Sequence, residues 1–408
     1  MLSPVAQGLC TRVMSRSKTM IAQTIALAEQ VSGSHNLDGI YHCQSLLGEW
    51  FSQQVESTEY RALPNFCEYL ADGSVKEHRT APLQIFTSRP DAPLQLLFTG
   101  HSDTVFPVDS SFQQCWLQGD KLHGPGTADM KGGLVVILEA LRQLDRSVLA
   151  SDFGYTVAIS PDEEIGSLGS APELVKLART HHIGLTYEPA LEDGTLAGAR
   201  KGSGNFTVVA HGLSAHAGRN FFAGRNAIVA LAEVVQALAN LSDESRGISV
   251  NCGVISGGEA LNIVPDTASL KFNIRVTTLD QADSLIDQID HILQDIEAHS
   301  GVKLTRYGSY TRPPKPMSPD LERLFKLLQT AGESLGQMIQ WRATGGCCEG
   351  NNLAAAGLLN IDTLGVRGAN IHTEQEYACV SSFTERAALT IAFIDTLISQ
   401  HKRGGLSC

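Results

Sequence analysis

The stretch Gly124–Gly133, GPGTADMKGG, places a single acid, Asp129, in a run of glycine, proline and alanine. Such residues form tight turns and leave space around the acid for a ligand. An apolar helix is predicted directly afterwards, from Leu134 to Leu144, so Asp129 lies at a loop-to-helix junction. Taken alone, the stretch is more typical of a surface turn with an Asp near a helix N-terminus. Its meaning therefore depends on the acids and histidines elsewhere in the chain.

The composition is that of a globular protein with more than one core. The chain has 408 residues, 43% hydrophobic and 18% charged, so two domains are expected. The net charge of −12 argues against a nucleic-acid partner, which would need a basic face. No apolar run is long enough to cross a membrane, and no secretory signal is recognised. With nine scattered cysteines, typical of free thiols, we expect a cytoplasmic protein.

Strands and helices alternate through the first half of the chain. Short β-type runs are predicted at 83–87, 94–99, 155–160 and 183–187, with helical patterns between or around them. This alternation predicts an α/β fold with a mostly parallel sheet and helices on both faces. In such sheets, ligands bind beyond the carboxyl ends of the strands.

Acids and a histidine follow these predicted strands. Four successive strand or loop ends carry them: His101 with Asp103, Asp129, the run Asp162–Glu164, and Glu188. His101 and Asp103 are two positions apart and point to the same side of an extended segment, where a carboxylate can fix the imidazole tautomer. Each residue alone has a structural explanation, such as a capping Asp or a solvated Glu. Together they predict a site for zinc or another divalent first-row ion.

From about residue 200 the predicted order becomes β-α-β-β-α-β, that of a ferredoxin-like unit. The Pro-rich stretch Arg312–Pro316 then links back to the first fold, which resumes with a helix from Asp320 to Ser334. We therefore predict a catalytic domain in two parts, residues 1–199 and 314–408, and an inserted lid formed by residues 200–313.

Seven motifs carry a more specific signal: HSDTVFP at 101, GPGTADMKGG at 124, PDEEIGSLGS at 161, YEPA at 187, SAHAG at 214, NIVPD at 262 and IHTEQEY at 371. In this order they resemble the co-catalytic zinc peptidase family of glutamate carboxypeptidase, acetylornithine deacetylase, succinyl-diaminopimelate desuccinylase and aminoacylase. Bacterial glutamate carboxypeptidase is the member that the chain resembles most. The resemblance extends from about residue 17 onward. It implies a catalytic domain with a mostly parallel mixed sheet, interrupted by a ferredoxin-like lid that also forms a homodimer.

The resemblance implies a role for each motif residue. The implied ligands of two zinc ions (or cobalt or manganese) are Asp129 as the bridge, His101 and Glu188 on one ion, and Glu164 and His372 on the other. Asp103 would orient His101, and Glu163 would be the general base.

The lid residues have implied roles as well. His216 would stabilise the oxyanion from the partner subunit's lid, and Arg275 and Asn262 would hold a substrate carboxylate and its neighbourhood.

The implied reaction is hydrolysis of an amide in a peptide or N-acyl amino acid, as in glutamate carboxypeptidase. The alternatives are an N-acyl amino acid deacylase, such as acetylornithine deacetylase, and a ureide or carbamoyl amidohydrolase. A non-catalytic binding protein is a further alternative, against which the presence of Glu163 argues. The chain departs from the family pattern in two places. Glu349 stands where relatives often have Asp. In the stretch from Ala190 to Lys201, no residue matches a glutamate-selecting lysine, for which Arg200 and Lys201 are the candidates; the alternative is that they flank the hinge.

Overall fold

The computed structural model describes residues 2–70 and 73–405 of the chain. The helices are α1 (Pro4–Val13), α2 (Ser17–Ala28), α3 (Leu37–Ser52), α4 (Gly132–Asp145), α5 (Ala171–Ala178), α6 (Ala227–Ala239), α7 (Leu279–Ser300), α8 (Pro319–Glu333), α9 (Glu349–Ala355) and α10 (Val380–Lys402). Short helical turns cover Met14–Arg16, Thr127–Lys131, Val148–Asp152 and Phe221–Ala223. None of the described helices has the length and apolar character that a membrane span requires.

The strands alternate with these helices along the chain. They are β1 (Ser57–Arg61), β2 (Phe66–Tyr69), β3 (Val75–His78), β4 (Leu83–Ser88), β5 (Gln95–His101), β6 (Trp116–Gln118), β7 (Lys121–His123), β8 (Gly154–Ser160), β9 (Ile183–Thr186), β10 (Leu196–Arg200), β11 (Gly202–His211), β12 (Ala215–His216), β13 (Ser249–Gly257), β14 (Ile263–Val264), β15 (Thr267–Val276), β16 (Lys303–Arg312), β17 (Trp341–Thr344), β18 (Asn360–Ile361), β19 (Gly368–Ala369) and β20 (Tyr377–Cys379).

The main sheet has the strand order β1-β4-β8-β5-β9-β18. β5 runs parallel to β8 and β9, and β9 runs parallel to β18. β4 is antiparallel to both β8 and β1 at the other edge. The predicted α/β fold with a mixed sheet is therefore confirmed, and its parallel pairs extend from β8 to the edge strand β18.

Side chains of β5 alternate between the two faces of this sheet, as the two-residue period of a strand requires. Leu96 and Phe98 enter the larger core, which also contains residues of α4 and α10. Leu97 enters a smaller core with Leu174 of α5 and Leu353 of α9. Helices consequently cover both faces.

Helix α4 lies close against the end of β9 because it begins with two glycines. A Cβ atom on Gly133 would lie 2.1 Å from the carbonyl oxygen of Tyr187, and one on Gly132 would lie 2.5 Å from that of Thr127. Any larger residue would push the helix away. This close approach brings the loop of Asp129 to the residue that follows Tyr187, which is Glu188.

A second, four-stranded antiparallel sheet has the order β13-β15-β11-β16. Helices α6 and α7 share one hydrophobic core with it. The chain order β11-α6-β13-β15-α7-β16 is the β-α-β-β-α-β order expected for the lid. The domain bounds at 199/200 and 313/314 stay a prediction.

Two parts of the chain differ from the expected elements. α1 was not predicted, although Ser3 caps it and Pro4 occupies its first turn, a recognised start signal. β16 ends at Arg312, which is the first residue of the stretch predicted to be a linker. Arg312 thus belongs to the lid sheet rather than to a free linker.

The segment that enters the lid and the segment that leaves it are hydrogen-bonded to each other. The backbone N–H groups of Arg200 and Lys315 each donate to the other residue's carbonyl oxygen, at 2.8 and 3.0 Å. Both side chains also bind the buried carboxylate of Asp362, with Arg200 Nη2 at 2.8 Å and Lys315 Nζ at 2.7 Å. One carboxylate therefore holds both connections.

Replacing Asp362 should destabilise the protein strongly. Asp362→Ala leaves two buried cations without their shared partner, a loss of about 3–5 kcal/mol in the free energy of unfolding. Urea titration followed by circular dichroism measures it. The control is Asp320→Ala, which removes an exposed ion pair with Arg323 and should cost at most about 1 kcal/mol. Equal losses in the two variants would show that the buried ion pairs do not stabilise the crossing.

Candidate metal centre and active site

The parallel strands bring the predicted ligands to one edge of the main sheet. His101, the last residue of β5, is in register with Ser160, the last residue of β8. Thr99 of β5 is in register with Thr186, the last residue of β9. The segments that follow β8 and β9 carry Glu164 and Glu188, so these acids emerge beside His101.

Asp129 lies between two histidines. Its Oδ1 is 3.3 Å from Nε2 of His101, and its Oδ2 is 3.2 Å from Nε2 of His372. The Asp129–Met130 peptide bond is cis. Each carboxylate oxygen of Asp129 thus faces a different imidazole.

Each histidine has a second carboxylate beside it. Glu188 Oε1 lies 3.8 Å from His101 Nε2, and Glu164 Oε2 lies 3.2 Å from His372 Nε2. Possible ligand atoms of His101, Asp129 and Glu164 all lie within 4.8 Å of one another. The five residues predicted as ligands are therefore brought together, in two groups that share Asp129.

The charges of this cluster favour a bound cation. Burial, with the nearby charge of Asp129, raises the pKa of Glu164 to about 8. The same two causes raise the pKa of Glu188 well above its ordinary value. His101 Nε2 and Glu188 Oε1 are buried and form no hydrogen bond within the described part of the chain. These oxygen and nitrogen donors fit zinc, cobalt or manganese, which would offset the crowded negative charge.

Asp103 supports both His101 and the turn after β8. His101 Nδ1 lies 3.0 Å from the carbonyl oxygen of Asp103 and 3.4 Å from its Oδ1. The same carboxylate accepts hydrogen bonds from the backbone N–H groups of Glu163 and Glu164, each at 3.1 Å. Adjacent residues of a straight strand would point to opposite sides. This turn instead allows Glu163 and Glu164 to line one cavity.

Arg312 contacts Glu163, a role that the sequence did not indicate. Its Nη2 donates to Glu163 Oε1 at 2.6 Å and to the Glu163 carbonyl oxygen at 3.1 Å. Its Nη1 donates to Asn352 Oδ1 at 2.5 Å. The two prolines after Arg312 suggested a linker, and only the length of β16 shows that this arginine is buried at the site.

Glu376 holds the loop of Asp129 and was also missed. Its buried carboxylate accepts hydrogen bonds from the backbone N–H groups of Gly126, Ala128 and Asp129, at 3.2, 3.0 and 3.0 Å. Glu376 belongs to the IHTEQEY motif, in which only His372 had been given a role. Glu376 follows the predicted ligand His372 by four residues, and this second acid of the motif was the signal that could have identified it.

Glu349, the departure from the family pattern, is fully buried beside Glu163 rather than among the five ligands. Its Oε1 accepts a hydrogen bond from Ser167 Oγ at 3.4 Å. Burial, with the nearby charge of Glu163, raises its pKa to about 8. The surroundings of Glu349 therefore favour its neutral form.

A cavity of about 470 Å³ opens over the cluster. Its acidic floor includes Asp129, Glu163 and Glu188, and its cationic lining is Arg200, Arg275, Arg312 and Arg342. Arg275 Nε donates to Asn273 Oδ1 and its Nη1 donates to Cys347 Sγ, both at 3.0 Å. The cavity thus combines an acidic centre with a cationic wall.

His216 and Asn262 lie apart from this cavity and are not among the residues that line it. Both are exposed in the lid, where the Asn262 carbonyl oxygen accepts a hydrogen bond from Ala217 N–H at 2.9 Å. The Nδ1 atom of His216 accepts one from Gly218 N–H at 3.0 Å. A single chain does not bring these two predicted residues to the cluster.

Comparison with known proteins gives a consistent result. Residues 198–300 match the peptidase dimerisation domain of the M20 type. Carboxypeptidase G2 of Pseudomonas sp. (strain RS-16) is 28% identical over 309 residues, 73% of each chain. Succinyl-diaminopimelate desuccinylase of Psychrobacter arcticus is 24% identical over 396 residues, 92% of this chain and 93% of that protein.

A solved structure extends the likeness to the fold. The M20 family metallo-carboxypeptidase Sso-CP2 of Sulfolobus solfataricus aligns over 93% of this chain and 99% of its own, with a TM-score of 0.70 and 16% identity. The chain has the M20 peptidase fold. The resemblance predicted from the seven motifs is therefore confirmed, together with the expected combination of an α/β domain and a dimerisation domain.

Removing Glu376 should weaken metal binding without unfolding the protein. In Glu376→Ala, three backbone N–H groups of the Asp129 loop lose the carboxylate that holds them. Loss of a group that positions a metal ligand lowers metal affinity about 10–100-fold. Zinc affinity is measured by competition with a chelating dye. The control is Glu374→Ala, two residues away and exposed, which should bind zinc as the wild type does. Unchanged affinity in Glu376→Ala would contradict the role given to the loop.

Proposed function

We propose that this chain is a two-metal hydrolase that cleaves an amide bond in a peptide or N-acyl amino acid, as a glutamate carboxypeptidase does. The observation that carries the proposal is the arrangement of Asp129, whose two carboxylate oxygens face two separate histidine–carboxylate groups. Similarity to a carboxypeptidase and to a desuccinylase supports amide hydrolysis as the reaction.

The proposed ligands of the two ions are His101 and Glu188 on one, Glu164 and His372 on the other, and Asp129 on both. Two divalent ions, proposed to be zinc, would supply Lewis acidity and make a water molecule more acidic. Glu163 would take a proton from the attacking water and deliver it to the leaving amine. Arg312 Nη2 donates to Glu163 Oε1 at 2.6 Å and so orients the carboxylate.

The cationic wall of the cavity supports a substrate that carries a carboxylate. Within the described part of the chain, Arg275 Nη2 has no hydrogen-bond partner, and Arg342 forms neither a hydrogen bond nor an ion pair through its side chain. A guanidinium binds a carboxylate through two parallel hydrogen bonds. We propose Arg275 for the α-carboxylate, and Arg342 for a second acidic group such as that of glutamate. Arg200 is committed to Asp362 and is a weaker candidate.

An N-acyl amino acid deacylase is the second candidate function. The desuccinylase relative covers 92% of this chain, against 73% for the carboxypeptidase, although its identity is lower. A release assay across acetylated, succinylated and glutamate-terminated substrates separates the two. If the enzyme requires a C-terminal glutamate in its substrate, the result favours the carboxypeptidase. If it selects instead for the acetyl or succinyl group, the result favours the deacylase.

We further propose that two chains form a homodimer through their lids. The match to a peptidase dimerisation domain supports this, as do exposed apolar side chains on α6 and on the edge strand β13. Val229, Val254 and Ile255 are each 54% exposed. An unpaired edge strand with apolar side chains is unfavourable in water, and a second chain would cover it. In such a dimer, His216 and Asn262 would act in the partner's active site.

Removing the bridging carboxylate should abolish paired metal binding. The wild-type protein, loaded with zinc and desalted, should retain up to two ions per chain, whereas Asp129→Ala should retain fewer, because both groups lose a shared ligand. Metal content is measured by elemental analysis, with Asp109→Ala, an exposed acid, as the control. Retention that does not change in Asp129→Ala would exclude Asp129 as a ligand.

Removing the proposed general base should stop catalysis and leave the metal in place. Glu163→Gln keeps the size of the side chain but cannot accept the proton, so kcat should fall at least ~100-fold. Zinc content should stay at the wild-type value, and the circular dichroism spectrum should remain that of the folded protein. Activity within a few fold of the wild type would refute this mechanism.

Subunit exchange tests whether His216 acts across the dimer. His216→Ala and Glu163→Gln should each be nearly inactive, because one lacks the oxyanion donor and the other lacks the base. In a mixed dimer, one active site would have both wild-type residues, so activity should partly return. Exchange is verified by native mass spectrometry. Proven exchange without recovery would mean that His216 does not act in the partner's site.

A further inference from the structure

Four arginines line a second cavity, on the side of the protein formed by α1 and α4. This arginine pocket consists of Arg12, Arg16, Arg142 and Arg146, together with Gln53 and Gln143, and has a volume of about 460 Å³. It shares no lining residue with the cavity over Asp129. A concentration of four cations is unexpected in a chain whose net charge is −12.

A buried acid holds two of these arginines in place. Glu139, in the middle of α4, is fully buried. Its Oε1 accepts from Arg16 Nε at 3.1 Å and from Gln143 Nε2 at 2.7 Å, and its Oε2 accepts from Arg142 Nη1 at 3.0 Å. Each arginine donates to Glu139 through a single nitrogen atom, so other N–H groups of the two guanidinium groups remain available. The pocket therefore has an ordered cationic floor rather than only mobile surface side chains.

The single negative charge of Glu139 does not neutralise the four arginines of the pocket. Arg12 lies in the last turn of α1, and Arg146 caps the end of α4. Each helix end contributes roughly −0.5 charge, so both ends and Glu139 together offset about two of the four positive charges. In residues 2–70 and 73–405, the side chains of Arg12 and Arg146 form no hydrogen bond or ion pair. About two positive charges are left without a partner.

We propose that the arginine pocket binds a phosphate-type anion with at least two negative charges. Guanidinium groups present planar pairs of N–H donors that match the oxygens of phosphate. A dianion would balance the remaining charge. The volume of about 460 Å³ also has room for a diphosphate or a phosphate ester. This site is independent of the proposed amide hydrolysis.

Isothermal titration calorimetry tests the proposal on the full, zinc-loaded protein at constant ionic strength. The probes are inorganic phosphate, pyrophosphate and glycerol phosphate, which distinguish a free anion, a diphosphate and a phosphate ester as the source of the bound group. The test variant is the double substitution Arg12→Gln with Arg146→Gln, at two exposed positions. The control variant is Arg179→Gln with Arg403→Gln, which removes two exposed arginines that also lie at helix C-termini, those of α5 and α10.

We expect at least one probe to bind the wild type and the control variant alike. The test variant should bind it at least about tenfold more weakly, because two charge-assisted hydrogen bonds are lost. Phosphate that binds at the metal cluster would be common to all three proteins and does not alter the comparison. Binding to the wild-type pocket should also weaken as sodium chloride is added. The proposal fails if no probe binds, if the test variant matches the wild type, or if both variants weaken equally.

Discussion

The concentration of acidic side chains at one edge of the main sheet is the constraint on which the proposed active centre depends. Asp129, Glu163, Glu164 and Glu188 meet there, three of them buried or nearly so, with His101 and His372 as the only imidazoles beside Asp129 among the described residues. Like charges in a low-dielectric interior repel strongly, and burial alone opposes ionisation. The fold separates Asp129, Glu164 and Glu188 into two groups that share Asp129, and the proposed pair of cations would offset their charge.

A ring of hydrogen bonds around the cluster fixes its geometry. Asp103 holds His101 and the turn of Glu163, Glu376 holds the Asp129 loop, and Arg312 holds Glu163. These supports come from the segment after β5, from the segment before β20 and from the end of β16, which are far apart in the sequence. The centre is therefore rigid only when the sheet, the C-terminal part of the chain and the last lid strand are assembled together.

The sequence was sufficient for those features that follow from local pattern. Strand ends could be located from short apolar runs, and the polar residues that follow them, such as His101 and Glu188, from their position. The lid was recognisable because its strand and helix order is distinctive. Arg312 and Glu376 could not be assigned, because their roles depend on contacts with Glu163 and with the Asp129 loop, 149 and 247 residues away. The position of His216 raises a different difficulty, since its proposed role requires a second chain.

The paired crossing at Arg200 and Lys315 has a consequence for how the lid is attached. Because these residues bond to each other through their backbones, the chain enters the lid and leaves it at nearly the same point. The intervening segment is thus a module with adjoining ends, which a short loop could replace without moving Asp362 or the strands beneath it. An insert attached in this way could be exchanged as a unit, so that substrate selection and subunit assembly diverge, provided that its last strand still brings an arginine to Glu163.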